Sequence, residues 1–209
     1  MTNKKAKTTD AMSPYEQAKR YSDLINNRKY SEANKYRDLS GKNFSNTNLR
    51  NLNLTGADFN GSSFRGADLS GADLSGVDLD DSTLNNAKLV GADLSDSRLI
   101  DADLVGANLE QADLTESDLT GANFRRARLR LSKLIDTELV DSNLNGADLI
   151  GANLIRANLT DSELIGANLT DANFSDANLT RTNFKRAKFR NTKITVGNST
   201  RSISDDVII

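Results

Sequence analysis

One column of this chain is apolar without exception. From Leu39 to Ile194, every residue whose number ends in 4 or 9 is Leu, Phe or Ile: 24 Leu, all seven Phe of the protein, and Ile194. Two residues earlier, from Thr47 to Thr192, 28 of 30 positions hold Ala, Ser or Thr, and only Leu52 and Val77 depart. Two residues after the apolar position stand 12 of the 13 Gly, with Asp and Asn as the main substitutes. A period of five fits neither a helix, at about 3.6, nor a strand, at about 2. It fits a short extended segment followed by a corner. In such a segment the Leu/Phe residue, here called the centre, and the small residue two before it point the same way. The polar residue between them points to water. Gly, Asn and Asp after the centre tolerate the positive φ that a corner requires. Each repeat therefore makes one side and one corner.

Written out, the repeat reads Ala67-Asp68-Leu69-Ser70-Gly71, Ala107-Asn108-Leu109-Glu110-Gln111 and Ala167-Asn168-Leu169-Thr170-Asp171. This resembles the pentapeptide-repeat family, whose motif is A-(D/N)-L-x-x, over about three quarters of the chain. The resemblance implies an all-β solenoid, a right-handed quadrilateral parallel β-helix with four repeats to a 20-residue coil. Residues 39–195 then make about eight coils, a rod roughly 35–40 Å long at the ~4.8 Å spacing of paired strands. That stacking places Phe44, Phe64, Leu84, Leu104, Phe124, Leu144, Leu164 and Phe184 in one internal ladder. A large centre on every side leaves little room inside, which explains the Ala, Ser or Thr at the other inward position. Coils bury these residues only against neighbouring coils, so stability is close to additive along the rod.

The chain before the repeats has a different character. All four Tyr and the only Pro lie there. Ser13-Pro14-Tyr15-Glu16 reads as a helix start, with Ser as N-cap, Pro in the first turn and Glu closing a capping box. The spacing predicts a helix over residues 14–26 with an apolar stripe of Tyr15, Ala18, Tyr21 and Ile25. The domain boundaries that follow are a disordered tail at 1–12, an α-helical cap at 13–38, the repeat body at 39–195, and a C-terminal cap, dimer contact or tail at 196–209. Open ends of a β-helix expose unpaired backbone, which is the reason to expect a cap. It also leaves self-association through the rod ends open. Within the last segment, Thr195 to Ser199 has the composition to turn back as a hairpin.

Composition removes many function classes. There is no Cys and no His, so thiolate chemistry and the commonest general base and zinc ligand are both missing. No Gly-rich phosphate motif precedes a helix, and the calcium-binding β-helix loops are absent. No cofactor, metal or catalytic residue is expected, and the protein reads as a non-enzyme. The N-terminus lacks a signal-peptide h-region and no stretch is long enough to span a bilayer, so a cytoplasmic location away from membranes is expected.

The net charge of −2 hides an asymmetry along the chain. Residues 57–120 carry three Lys/Arg against 14 Asp/Glu, whereas residues 121–190 carry 11 against eight. Two basic clusters stand out as the candidate interaction surface: Arg125, Arg126, Arg128 and Arg130, and then Lys185, Arg186, Lys188 and Arg190. They are 60 residues apart, three whole coils, so they should share one side of the rod. With every repeat Phe facing inward, no outward aromatics are left to stack bases, which argues against nucleic acid as the partner. An unidentified protein partner is expected for a scaffold that presents surfaces to macromolecules. The chain resembles the cyanobacterial members of the family more than its topoisomerase inhibitors. A DNA-mimic-type binder that inhibits or protects DNA gyrase is the alternative the resemblance implies.

Overall fold

The computed structural model describes residues 11–196 and 199–203. The outward residue of each repeat bridges in parallel to its counterpart 20 residues on: Asp38 to Asp58, Asn43 to Ser63, Asn48 to Asp68 and Asn53 to Asp73. Four repeats therefore bring the chain back above itself. We call the sides first to fourth in that order, starting from the Asp38 ladder, so that the first side lies opposite the third. Each straight side is held by two bonds per repeat, and a third joins the coils at the corner, as from the Asn51 N–H to the Ser70 carbonyl at 3.2 Å. The Leu49 N–H donates to the Asp68 carbonyl at 2.7 Å, and the Asp68 N–H donates to the Thr47 carbonyl at 2.9 Å.

Corners close with equal regularity. The N–H of the small residue donates to the carbonyl of the preceding centre, as from Ala67 to Phe64 at 2.9 Å. The residue two after the centre has positive φ at every corner from Gly41 to Asn191, 12 of them Gly and 19 not. This is the φ signature of a type II turn, and it explains why Gly, Asn and Asp dominate there. The outward Asp or Asn supports the same turn. Its side-chain oxygen accepts the N–H two residues on, as Asp73 does from Ser75 at 3.2 Å, and the Ser75 hydroxyl donates to it as well at 2.7 Å. The repeat pattern read these residues as solvated. Most are half-buried braces of the corner, because an unpaired turn N–H at that point would otherwise need water.

Inside, centres from Leu39 to Phe174 are at most 1% exposed. The Phe44 and Phe64 rings stack with centroids 4.9 Å apart, and Phe59 from the first side meets both edge-on. Most inward hydroxyls bond to backbone: Ser117 donates to the Leu114 carbonyl at 2.6 Å, and Thr192 to the Leu169 carbonyl at 2.7 Å, whereas the buried Ser82 hydroxyl has no partner among the described residues. Cover thins in the final coil, where Ala177, Leu179, Phe184 and Ala187 are only partly buried.

Helix α1 spans Pro14–Asn26 and opens with a complete capping box between Ser13 and Glu16. A short α2 at Tyr30–Ala33 and a 3-10 turn at Asn34–Tyr36 lead into the first side. The apolar stripe differs from expectation. Gln17, Ala18, Tyr21, Ser22 and Leu24 are buried, while Tyr15 stays 41% exposed and Ile25 is partly covered. The reason lies in what α1 meets. The Tyr21 hydroxyl donates to the Thr55 carbonyl at 2.6 Å, and the Ser22 hydroxyl accepts the Asn53 N–H at 2.9 Å. Exposed backbone of the fourth side thus sets the rotation of the helix, and the apolar stripe yields to it.

At the other end, β1 (Asn173–Phe174) pairs in parallel with β2 (Thr192–Val196), which pairs antiparallel with β3 (Ser199–Ile203). Pairing of Val196 with Ser199 makes this the hairpin foreseen from the sequence. The expected tail at 1–12 lies outside the described residues except for its last two, as does the segment beyond residue 203. Among the described residues no helix is long and apolar enough to cross a membrane.

Candidate functional site

The 20-residue register sorts the charges by side, and the third side carries the cations. Arg128 and Lys188 stand on its outward ladder, joined through Asp148 and Asn168 by three successive bridges. Arg125, Arg126, Lys185 and Arg186 occupy its corner with the second side, and Arg130 and Arg190 its corner with the fourth. All eight residues singled out in the sequence are exposed. Three coil steps separate the two clusters by ~14 Å.

Three more cations share this surface and escaped notice as isolated charges: Arg50, Arg65 and Lys88. Spacing could have found one of them, since Arg65, Arg125 and Lys185 fall 60 residues apart. Together the third side and its two corners hold 11 cations against four carboxylates, Asp68, Glu110, Asp148 and Asp171. The corner with the second side holds five cations, Arg65, Arg125, Arg126, Lys185 and Arg186, and no carboxylate at all. Some charge is spent locally. Arg50 and Lys88 approach Asp68 at 3.4 and 4.0 Å, and Arg130 approaches Asp148 at 3.9 Å.

The opposite, first side is acidic. With its two corners it holds 14 carboxylates, among them Asp58, Asp78, Asp118 and Glu138 on the ladder itself, against four cations. Each of those cations is committed: Arg37 donates to the Gly56 carbonyl, and Arg98 pairs with Asp80, Arg156 with Asp136 and Arg181 with Asp161. The Arg156 guanidinium holds the Asp136 carboxyl below the usual range, and Arg181 does the same for Asp161. The charge imbalance therefore runs across the rod as well as along it. Among the described residues no group of three or more acidic side chains is placed to hold a metal ion.

Matches to the family model of pentapeptide repeats, in eight copies, overlap from residue 36 to residue 195. The chain belongs to the pentapeptide-repeat family. Proteins of this family fold as right-handed β-helices, and the parallel 20-residue ladder described above is of that kind. Among solved structures, this pentapeptide-repeat chain is similar to HetL, involved in heterocyst differentiation regulation in the cyanobacterium Nostoc sp. strain PCC 7120. Identity is 30% over 75% of this chain and 84% of that one, with a TM-score of 0.47. It is also similar to alr5209 of Nostoc PCC 7120, at 32% identity over 48% of this chain and 78% of that one, TM-score 0.41. QnrB1, a plasmid-mediated fluoroquinolone resistance protein, shares 17% identity over 71% of this chain and 84% of its own, TM-score 0.34. No curated protein matches the chain.

Proposed function

We propose that this pentapeptide-repeat protein is a non-catalytic scaffold, a rod of about eight coils capped at its first coil by α1, whose third side is an interaction surface for an anionic macromolecular partner. The observation that carries the reading is the corner of Arg65, Arg125, Arg126, Lys185 and Arg186, which runs along the rod without a single carboxylate. Exposed like charges kept together over that length serve no packing purpose and repel one another, so only an outside anion compensates them. The non-catalytic part is supported by the inward hydroxyls, most of which, such as those of Ser117, Ser142 and Ser162, donate to backbone carbonyls in a filled lumen. Retention on heparin at low salt tests the surface. Wild type is expected to bind and to elute steeply with salt, as released counterions dictate. Arg126→Glu with Arg186→Glu should abolish retention while the melting curve stays unchanged. Failure of the wild type to bind at low salt refutes the reading.

A second reading rests on the acidic first side, the surface that a DNA mimic of the gyrase-binding kind would use. Its net charge of −10, from 14 carboxylates and four cations, spans seven coil steps. At ~4.8 Å per step that is roughly one charge per 3 Å, about half the duplex density of one per ~1.7 Å. The shortfall places this reading second. A supercoiling assay with purified gyrase decides it, and unaltered supercoiling at a large excess of the protein rejects it.

A further inference from the structure

The two charged sides stand back to back on one rod and share its rise of ~4.8 Å per coil. Local pairing weakens neither by much. On the first side, three ion pairs leave 11 of 14 carboxylates without an ion partner among the described residues. On the third, contacts to Asp68 and Asp148 occupy Arg50, Lys88 and Arg130 and leave eight of 11 cations. The charge asymmetry along the chain runs from end to end of the rod. The register adds a transverse asymmetry that presents far more surface.

We propose that the third side docks the first side of a second copy of this chain, so that rods associate side by side. This rests on the reading of the third side as an interaction surface and names its partner. The complementary surfaces belong to the same molecule, so every solution of the protein contains both. They share one repeat spacing, so sliding two rods by a whole coil still sets cations opposite carboxylates. Side three on side one is a heterologous contact that does not close on itself, and it extends into rows of rods. Its attraction is between exposed charges, so the rows form at low ionic strength and come apart once the Debye length shrinks to ~10 Å near 0.1 M salt.

Sedimentation velocity on the full chain, over a concentration series at about 20 mM and about 200 mM salt, tests this. The sedimentation coefficient should rise with concentration at low salt and stay flat at high salt. Arg126→Glu with Arg186→Glu should remove the rise, and so should Asp81→Arg with Asp141→Arg on a corner of the first side. Glu116 and Arg181 already occupy such corners at φ 59 and 56, so both pairs of substitutions suit the backbone. Mixing the two variants should restore association, because each then supplies the surface the other lacks. A wild type that stays monomeric at low salt overturns the proposal. If that monomer is still retained on heparin, only the pairing of copies fails, whereas loss of both removes the interaction surface too. Association that survives both reversals also overturns it and moves the contact to the rod ends.

Discussion

The ring of Phe44 lies flat on that of Phe64, with centroids 4.9 Å apart and planes 8° from parallel. The two residues are 20 apart in sequence and one coil apart in space, and their ring separation matches the spacing of paired strands. Like residues meet like in such a ladder. Phe64→Ala should cost about 3–5 kcal/mol, read by urea unfolding, because the coils above and below cannot close the gap.

Inward and outward positions should respond differently to charge. Leu109 is fully buried, and Leu109→Asp should cost several kcal/mol, since the carboxylate gains no partner in an apolar lumen. Glu110→Gln, at the neighbouring outward position, should change stability by less than ~0.5 kcal/mol. Equal losses at the two sites would invert the assignment of inside and outside.

Two glycines with nearly the same backbone should differ on mutation. Gly121 has φ +70, and a Cβ there would collide with Asp101 Oδ1, whereas Gly76 has φ +62 and open space. Both pay the left-handed penalty of about 1–2 kcal/mol on substitution. Gly121→Ala should lose more, by the cost of displacing Asp101, and paired thermal melts of the two variants check the order.

Acid should unfold the rod through its bracing carboxylates. The Ser40 hydroxyl, then the Ser40 N–H, holds the Asp38 carboxyl below its ordinary range. At Asp113 burial pushes upward hardest, but the Lys133 ammonium and the Thr115 donors together outweigh it, so this carboxyl also sits low. A lowered folded pKa means that the unfolded chain binds more protons in the window between the two values. The stabilisation is therefore complete above the unfolded pKa of about 3.9 and lost as pH falls through the folded value. Melting temperature should be level from about pH 7 to 5 and drop below about pH 4. Asp113→Asn, which keeps an oxygen for the turn, should shrink the drop.

Removing residues 1–38 should uncover backbone of the first coil that α1 now meets through Tyr21 and Ser22. The truncated rod should self-associate by edge pairing, and this association should persist at high salt, unlike the pairing of charged sides. Tyr21→Phe alone should cost about 1 kcal/mol, the worth of one hydrogen bond. A truncated rod that stays monomeric and equally stable would remove the capping role of α1.

What the amino-acid order determined by itself is local. The five-residue period states which side chains face inward, where each corner falls and which residues accept positive φ, because all of this is settled within one repeat. The capping box of Ser13 and Glu16 was legible for the same reason. What the tertiary structure decided is everything that depends on closure of the coil. Four corners return the chain above itself, so Arg65 joins Arg125 and Lys185, whose common side their 60-residue spacing already implied, and the carboxylates of Asp58, Asp78 and Asp118 gather on the opposite side. Along the chain these charges are interleaved within a few residues of one another, and only the angle turned at each corner separates them. The exact rotation of α1 was hidden as well. Of its apolar stripe, Ala18 and Tyr21 turn inward as expected, but Ser22 is drawn in beside Tyr21 by the N–H of Asn53 and Tyr15 is left outside, since backbone left unpaired at the end of the stack costs more than one exposed ring.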